Sequence, residues 1–199
     1  MRHVSTTIQP RSEDLLASLQ RQFPKLRVVY KDRDAFSRLL DLLLRVVTAG
    51  AQSAYMTSYV TTIGSTIYVP ADWDARPDLE RYLTLRHEAV HLRQFARYGR
   101  VGMALLYLVP IFPIGLALGR ARLEWEAYRE TLRAIAEVSG LEAARAPAVH
   151  DRIVRQFTSG AYGWMWPFPR TVRRWIARAL EELHVEIAAS RGVESGASS

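Results

Sequence analysis

The chain has 199 residues, of which 49% are hydrophobic and 24% are charged. These values are typical of a folded globular domain, and they exclude a mostly disordered chain, a collagen-like repeat and a coiled coil. The length predicts one domain over residues 1–190, with an apolar insertion at 101–119 and a disordered tail at 191–199. Cysteine is absent, so any metal ion must be held by His, Asp or Glu.

The formal charge of +7 comes almost entirely from arginine, because Lys25 and Lys31 are the only lysines. No nucleic-acid recognition motif accompanies this charge, so we do not expect nucleic acid as a partner. The N-terminal residues lack the continuous apolar stretch of a secretory signal. We therefore expect no cleaved targeting peptide and a cytoplasmic location.

In chain order, the first half predicts a helix that begins at Ser12, a strand over 26–30 and a helix over 35–47. Residues 53–69 are rich in Tyr, Thr, Val and Ile. They predict either two strands or one long strand with a bulge at Gly64.

In the second half, Pro77 suits the first turn of a helix that runs to Tyr98 and ends at Gly99. A loop is predicted over 158–169, and further helices are predicted over 120–138, over 141–157 with a break at Pro147, and over 171–190. This order of elements predicts an α+β fold with a small, mostly antiparallel sheet packed on the helix after Pro77, and a helix-rich C-terminal half.

One motif carries chemistry: residues 87–91 read HEAVH and fit the pattern H-E-x-x-H. Its two histidines are four residues apart, so they share a helix face and can bind one Zn²⁺ ion. Glu88 is rotated by about 100° from His87 and can act as a general base toward water. The alternative is that the histidines make ordinary polar contacts, but Val90 and Leu92 indicate a centrally packed helix, which favours metal binding.

A third metal ligand has to come from another element, because a catalytic zinc ion usually has three protein ligands. On the predicted helix 120–138, Glu124 shares a face with Tyr128, whereas Glu126 points elsewhere. Glu124 is the preferred candidate and Glu126 is the alternative. His150 is also available, but no local pattern surrounds it.

The segments TLRHEAVHLRQF and LEWEAY resemble the gluzincin-type zincin metallopeptidases. The second segment is similar to the E-x-x-A-D pattern of the integral-membrane prenyl-protein endopeptidases. The resemblance covers residues 55–135 and implies a zincin-like fold. It also implies that His87, His91 and Glu124 bind zinc and that Glu88 is the general base.

The resemblance implies roles for the surroundings of the site as well. Tyr128 stands at the position of the family's aspartate, which orients a histidine ligand by hydrogen bonding. Residues 64–69 correspond to the edge strand that holds an extended peptide, the alternative being a plain core strand. Tyr162 and His150 are candidates for stabilising an oxyanion, although a structural role is the more common one for such residues.

An apolar stretch at 101–118 contains no charged residue but is interrupted by Pro110 and Pro113. A single membrane span here would place the two ligand helices on opposite sides of the bilayer. Two alternatives remain. The insertion 101–119 forms a helical hairpin that is buried or builds an oligomer, or it makes a peripheral membrane contact with flanking arginines at the headgroups, namely Arg97, Arg100, Arg120 and Arg122.

The sequence therefore predicts a zinc-dependent hydrolase, specifically a metallopeptidase (protease) that acts on a peptide or protein substrate. The alternative is a zincin-derived module that keeps the metal for structure and binds a membrane surface or a protein partner without catalysis. Glu88 distinguishes the two, because hydrolysis needs its carboxylate and metal binding does not.

Overall fold

The computed structural model describes residues 11–35, 37–38, 59–108, 117–159, 165–166 and 168–196. The fold is α+β and rich in helix. Its strands are β1 (Arg27–Tyr30), β2 (Thr61–Ile63) and β3 (Thr66–Val69). Its α-helices are α1 (Ser12–Gln22), α2 (Asp78–Leu108), α3 (Leu118–Ser139), α4 (Leu141–Arg145), α5 (Pro147–Thr158) and α6 (Pro169–Gly196). Short 3₁₀ helices form at Lys31–Arg33 and Trp73–Ala75.

The sheet has the strand order β1-β3-β2, with β1 parallel and β2 antiparallel to β3. It is therefore mixed, and the prediction of a mostly antiparallel sheet was wrong. The long connection after β1 allows a crossover that places β1 parallel to β3. A tight turn joins β2 to β3, and Gly64 occupies it with a positive φ of 63°. Of the alternatives for 53–69, two strands form. Since β3 is the central strand, residues 64–69 contain a core strand and not an edge strand.

A first hydrophobic core lies between α1, the sheet and α2. Ile67 and Val69 alternate with half-buried residues along β3, so one face of the strand is fully covered. The N-terminus of α1 is tied to that of α2, because the Ser12 backbone N–H donates to the Asp78 carboxylate. The buried residues of this core are Leu19, Leu26, Ile67, Val69, Trp73, Leu85, Ala89 and Leu92.

A second hydrophobic core is formed by α3, α5, α6 and the short α4 between them. The predicted helix ends hold here: α3 ends at Gly140, which has a positive φ of 87°, and Pro147 begins α5. The helix α6 continues beyond the predicted end, so residues 191–196 of the predicted disordered tail are helical. The largest side chains of this core include Leu132, Ile153, Phe157, Met165 and Ile176.

The helices α2 and α3 pack against each other between these two cores. Arg86 joins them, since its guanidinium donates to Glu130 at 2.6 Å and to Glu137 at 2.7 Å. The Arg86 side chain is mostly buried, at 17% exposure, so its pair with the 20% exposed Glu130 is shielded from solvent, whereas Glu137 is 49% exposed. This contact fixes the registry of α2 against α3, and the candidate site lies along the same interface.

Gly99 breaks α2 into the segments 78–98 and 100–108, because its φ of 68° and ψ of 176° are not helical. The helix predicted to end at Gly99 does end there, and a second helical segment follows at once. This second segment contacts the start of α3 so closely that a Cβ added at Gly119 would lie 2.3 Å from the Leu106 carbonyl oxygen.

The predicted apolar insertion is thus partly helical, and it exposes the large side chains of Val101 (75%) and Leu105 (59%). Residues 109–116 lie outside the described residues, as do most of the predicted helix 35–47 and half of the predicted loop 158–169. Among the helices that the structure describes, none combines the length and hydropathy needed to cross a bilayer.

Candidate metal centre

The two motif histidines lie on the face of α2 that is turned toward α3. Leu85, Ala89 and Leu92 pack toward the sheet from the other side of the helix. His87 is two residues from both Leu85 and Ala89, which places it about 200° around the helix from each of them. The imidazole rings of His87 and His91 are 5.1 Å apart between centroids. Burial of one helix face in the sheet core therefore presents the two rings side by side at the α2–α3 interface.

Glu124 on α3 completes a group of three side chains that could bind a metal ion. Its Oε2 lies 3.7 Å from Nε2 of His87 and 3.7 Å from Nε2 of His91. One ligand atom from each of the three side chains lies within 4.8 Å of the other two. Two ligands of a tetrahedral zinc ion are separated by about 3.4 Å, so the two carboxylate–imidazole distances of 3.7 Å are close to those around a bound metal ion. These three side chains can hold a metal ion.

Hydrogen bonds on the far side of each imidazole determine which ring nitrogen faces the group. Gln94 donates through Nε2 to the Leu123 carbonyl and to Glu126, so its Oε1 accepts from Nδ1 of His91 at 2.9 Å. A neutral His91 therefore carries its proton on Nδ1 and presents the lone pair of Nε2 to the centre.

His87 is oriented in the same way by a hydroxyl on α3. The Thr131 hydroxyl donates to the Ala127 carbonyl at 3.1 Å and lies 3.1 Å from Nδ1 of His87. Because that hydroxyl proton is engaged, Thr131 accepts from Nδ1–H of His87. In their neutral form, both histidines thus place an unprotonated Nε2 toward Glu124, and this neutral form is the one that binds a metal ion.

Of the two candidate third ligands, the structure brings Glu124 into the group. Glu126 accepts a hydrogen bond from Gln94 at 2.9 Å and pairs with Arg122 at 3.7 Å. It therefore supports His91 through Gln94 rather than facing the two imidazoles. The sequence spacing alone had left both glutamates open.

Glu88 is buried beside the group, with an exposure of 4%. Its Oε2 accepts a hydrogen bond of 2.6 Å from the Thr62 hydroxyl on β2. The charge of Glu88 also contributes to raising the pKa of His87. The carboxylate is thus anchored to the sheet and lies within electrostatic reach of the group.

The charges of His87 and Glu124 shift each other's pKa values. Burial opposes the charged form of His87, but the hydrogen bond to Glu124 and the charges of Glu88 and Glu124 outweigh it and raise the pKa of His87. Burial likewise opposes the charged form of Glu124, but the charges of His91 and His87 and the hydrogen bonds from His87 and Tyr107 lower its pKa to about 2. Glu124 is therefore an ionised carboxylate at neutral pH.

Two tyrosines lie next to the ligands. The Tyr107 hydroxyl donates to Oε1 of Glu124 at 2.8 Å, and burial, followed by the charge of Glu124, raises the pKa of Tyr107 well above its ordinary value. The Tyr128 ring packs edge-on against the His87 ring, with centroids 4.8 Å apart. In the described part of the chain, Nδ1–H of His87 donates to the Thr131 hydroxyl, so Thr131 has the orienting role that the resemblance implies for Tyr128.

The remaining predicted site residues lie elsewhere. Nε2 of His150 is 3.1 Å from the Ala144 carbonyl oxygen, and His150 does not belong to the ligand group. Tyr162 lies outside the described residues. Sequence reasoning missed four supporting residues. Gln94 could have been found three positions after His91 on the same helix face, but Thr62, Tyr107 and Thr131 follow only from the fold.

Comparison of the chain with protein-family models, with curated proteins and with solved structures finds no match. The support for a function is therefore the geometry of the site itself.

Proposed function

We propose that the protein is a zinc-dependent hydrolase with a zincin-like site, specifically a metallopeptidase. One observation carries the proposal: His87, His91 and Glu124 converge within 4.8 Å at a buried interface. Two histidines and one glutamate are the ligand set of several catalytic zinc sites, and three protein ligands leave a fourth position for water or substrate. The buried Glu88, one residue after His87, supplies the proton acceptor that such chemistry requires.

The donor atoms fit zinc by type as well as by distance. Zinc accepts imidazole nitrogen and carboxylate oxygen, and a ligating histidine usually donates its other N–H to an oxygen acceptor. Both histidines have such an acceptor, on Gln94 and on Thr131. The ionised carboxylate of Glu124 compensates much of the positive charge that a divalent ion brings into a buried site.

A zinc ion held by these residues would supply a Lewis acid for a substrate carbonyl and would lower the pKa of water toward about 7. Glu88 does the proton chemistry. Thr62 holds its Oε2, so Oε1 accepts the proton of the attacking water as the new C–O bond forms. Glu88 then delivers that proton to the leaving amine nitrogen as the C–N bond breaks.

The strand β2 is in direct contact with the proposed general base, because the Thr62 hydroxyl on β2 donates to Glu88. Within the described residues, β2 pairs with β3 on one side only. An extended peptide that adds to the other side of β2 would be held by backbone hydrogen bonds beside Glu88. In this proposal β2, and not residues 64–69 as the resemblance implied, is therefore the strand that holds an extended peptide substrate.

The metal content of the purified protein and the variant Glu88→Gln test the proposal together. We expect about one zinc ion per chain in both proteins. Cleavage of an unstructured protein such as casein should fall by about 10²- to 10⁴-fold in the variant, because general acid–base catalysis is lost. Glu80→Gln, an exposed change on the same helix, is the control and should leave zinc content and cleavage unchanged.

Absence of zinc uptake by the wild-type protein would contradict the proposal outright. If the wild-type protein instead binds zinc but cleaves no peptide, and Glu88→Gln behaves like the wild type, the non-catalytic binding module is the better description.

A further inference from the structure

The Tyr107 hydroxyl reaches the third ligand from beyond the break at Gly99. It donates to Oε1 of Glu124 at 2.8 Å, while Oε2 of the same carboxylate faces Nε2 of both histidines. The two oxygens of Glu124 therefore have different partners. A carboxylate can bind a metal ion through one oxygen or through both, and a donor on Oε1 favours the use of Oε2 alone.

The position of Tyr107 is fixed by the contact between α2 and α3. Its neighbour Leu106 has a carbonyl that approaches Gly119 so closely that no other side chain fits there. The guanidinium of Arg120 lies over the Tyr107 ring, 5.6 Å from its centroid. The first contact fixes the backbone beside Tyr107 and the second covers a face of its ring, so the hydroxyl is a positioned donor and not a mobile surface group.

We propose that Tyr107 is a positioning residue, which holds Glu124 as a one-oxygen metal ligand; this inference rests on the proposed zinc site. It gives part of the apolar insertion 101–119 a defined role, because the segment 100–108 carries the group that orients the third ligand. A sequence motif around His87 and His91 alone would not contain this part of the site.

The variant Tyr107→Phe removes the hydroxyl and keeps the ring. We expect its Kd for zinc, measured by competition with a chromophoric chelator, to rise by about 10- to 100-fold, as is usual when a group that orients a metal ligand is lost. Tyr82→Phe is the matched control, since the Tyr82 hydroxyl is also buried and accepts a hydrogen bond from Arg86, away from the ligands. Its Kd for zinc should equal that of the wild type.

Cobalt replacing zinc gives a second readout that does not depend on catalysis. In the wild-type protein, a one-oxygen Glu124 predicts the intense visible absorption of four-coordinate Co²⁺. In Tyr107→Phe, binding through both oxygens raises the coordination number and weakens that absorption. Thermal unfolding of the metal-free proteins shows whether each variant is folded.

The outcomes separate the two proposals. An unchanged Kd in folded Tyr107→Phe overturns the positioning role and leaves the zinc site intact. A wild-type protein that takes up no zinc overturns both. If Tyr107→Phe does not fold, the wild-type cobalt spectrum still decides, because a weak absorption from a high coordination number contradicts a one-oxygen Glu124.

Discussion

The two helical segments of α2 on either side of Gly99 follow each other directly along the chain but differ in what they bury. In 78–98, Leu85, Ala89 and Leu92 are each at most 3% exposed and pack against the sheet. In 100–108, Val101 and Leu105 are exposed, although this is the more apolar stretch of sequence. The more apolar segment is therefore the one that exposes large hydrophobic side chains.

The difference shows that the two segments contribute to the candidate site in different ways. The first segment supplies both imidazoles, and its buried face fixes their direction. The second segment supplies one hydrogen bond to the site, from Tyr107 to Glu124, and buries Met103, but it leaves much of its own surface open. Substitutions on the buried face of the first segment should therefore change the stability of the fold, whereas those at exposed positions of the second segment should change neither stability nor the site.

The largest effect is expected for Leu92→Ala. Leu92 is 2% exposed in the sheet core, and removing a buried leucine side chain costs about 2–5 kcal/mol in the free energy of unfolding. Urea denaturation of the metal-free protein measures this difference. A change below about 1 kcal/mol, typical of a surface site, would show that the packing next to His91 is not what fixes the helix.

The next effect is a pH dependence whose sign changes with zinc. Because the pKa of His87 is raised in the folded protein, the metal-free protein gains stability below the ordinary histidine value of about 6.5. This gain is lost as pH rises through the folded value. The pKa of Glu124, lowered to about 2 from an ordinary 4.5, affects stability only in more acidic solution. Chelated protein should therefore unfold more easily at pH 8 than at pH 6.

With zinc the dependence reverses, since zinc binds neutral imidazoles. Zinc at one hundred times its Kd adds about 2.7 kcal/mol to the free energy of unfolding. Below the histidine pKa this gain falls by about 1.4 kcal/mol per pH unit for each proton that zinc must displace. Unfolding curves recorded with zinc and with a chelator across this range should have opposite slopes. Equal slopes would mean that zinc does not bind at His87 and His91.

The sequence was sufficient for features that depend on neighbouring residues. Gly99, Gly140 and Pro147 mark helix boundaries because backbone conformation is restricted locally. The spacing of His87 and His91 places them on one helix face for the same reason. These features need no knowledge of what the helix packs against.

Features that depend on contacts between distant elements could not be predicted in this way. The parallel pairing of β1 with β3 depends on a crossover whose path no local pattern specifies. The choice between Glu124 and Glu126 depends on how α3 is rotated against α2, and helix periodicity gives only their relative directions. Tyr107 lies in an apolar stretch of the sequence, and nothing in the sequence indicates that its hydroxyl donates to a carboxylate.

The smallest effect is expected for Leu105→Ala, which makes the same change as Leu92→Ala in the other segment of α2. Leu105 is 59% exposed, so the free energy of unfolding should change by less than about 0.5 kcal/mol. The Kd for zinc should also be unchanged, since Leu105 is two residues from Tyr107 and therefore points about 200° away from it. A loss of zinc affinity would mean that the whole segment, and not the Tyr107 hydroxyl, holds Glu124 in place. A loss of stability as large as that of Leu92→Ala would mean that the Leu105 side chain is covered in solution, and sedimentation would then show whether a second copy of the chain covers it.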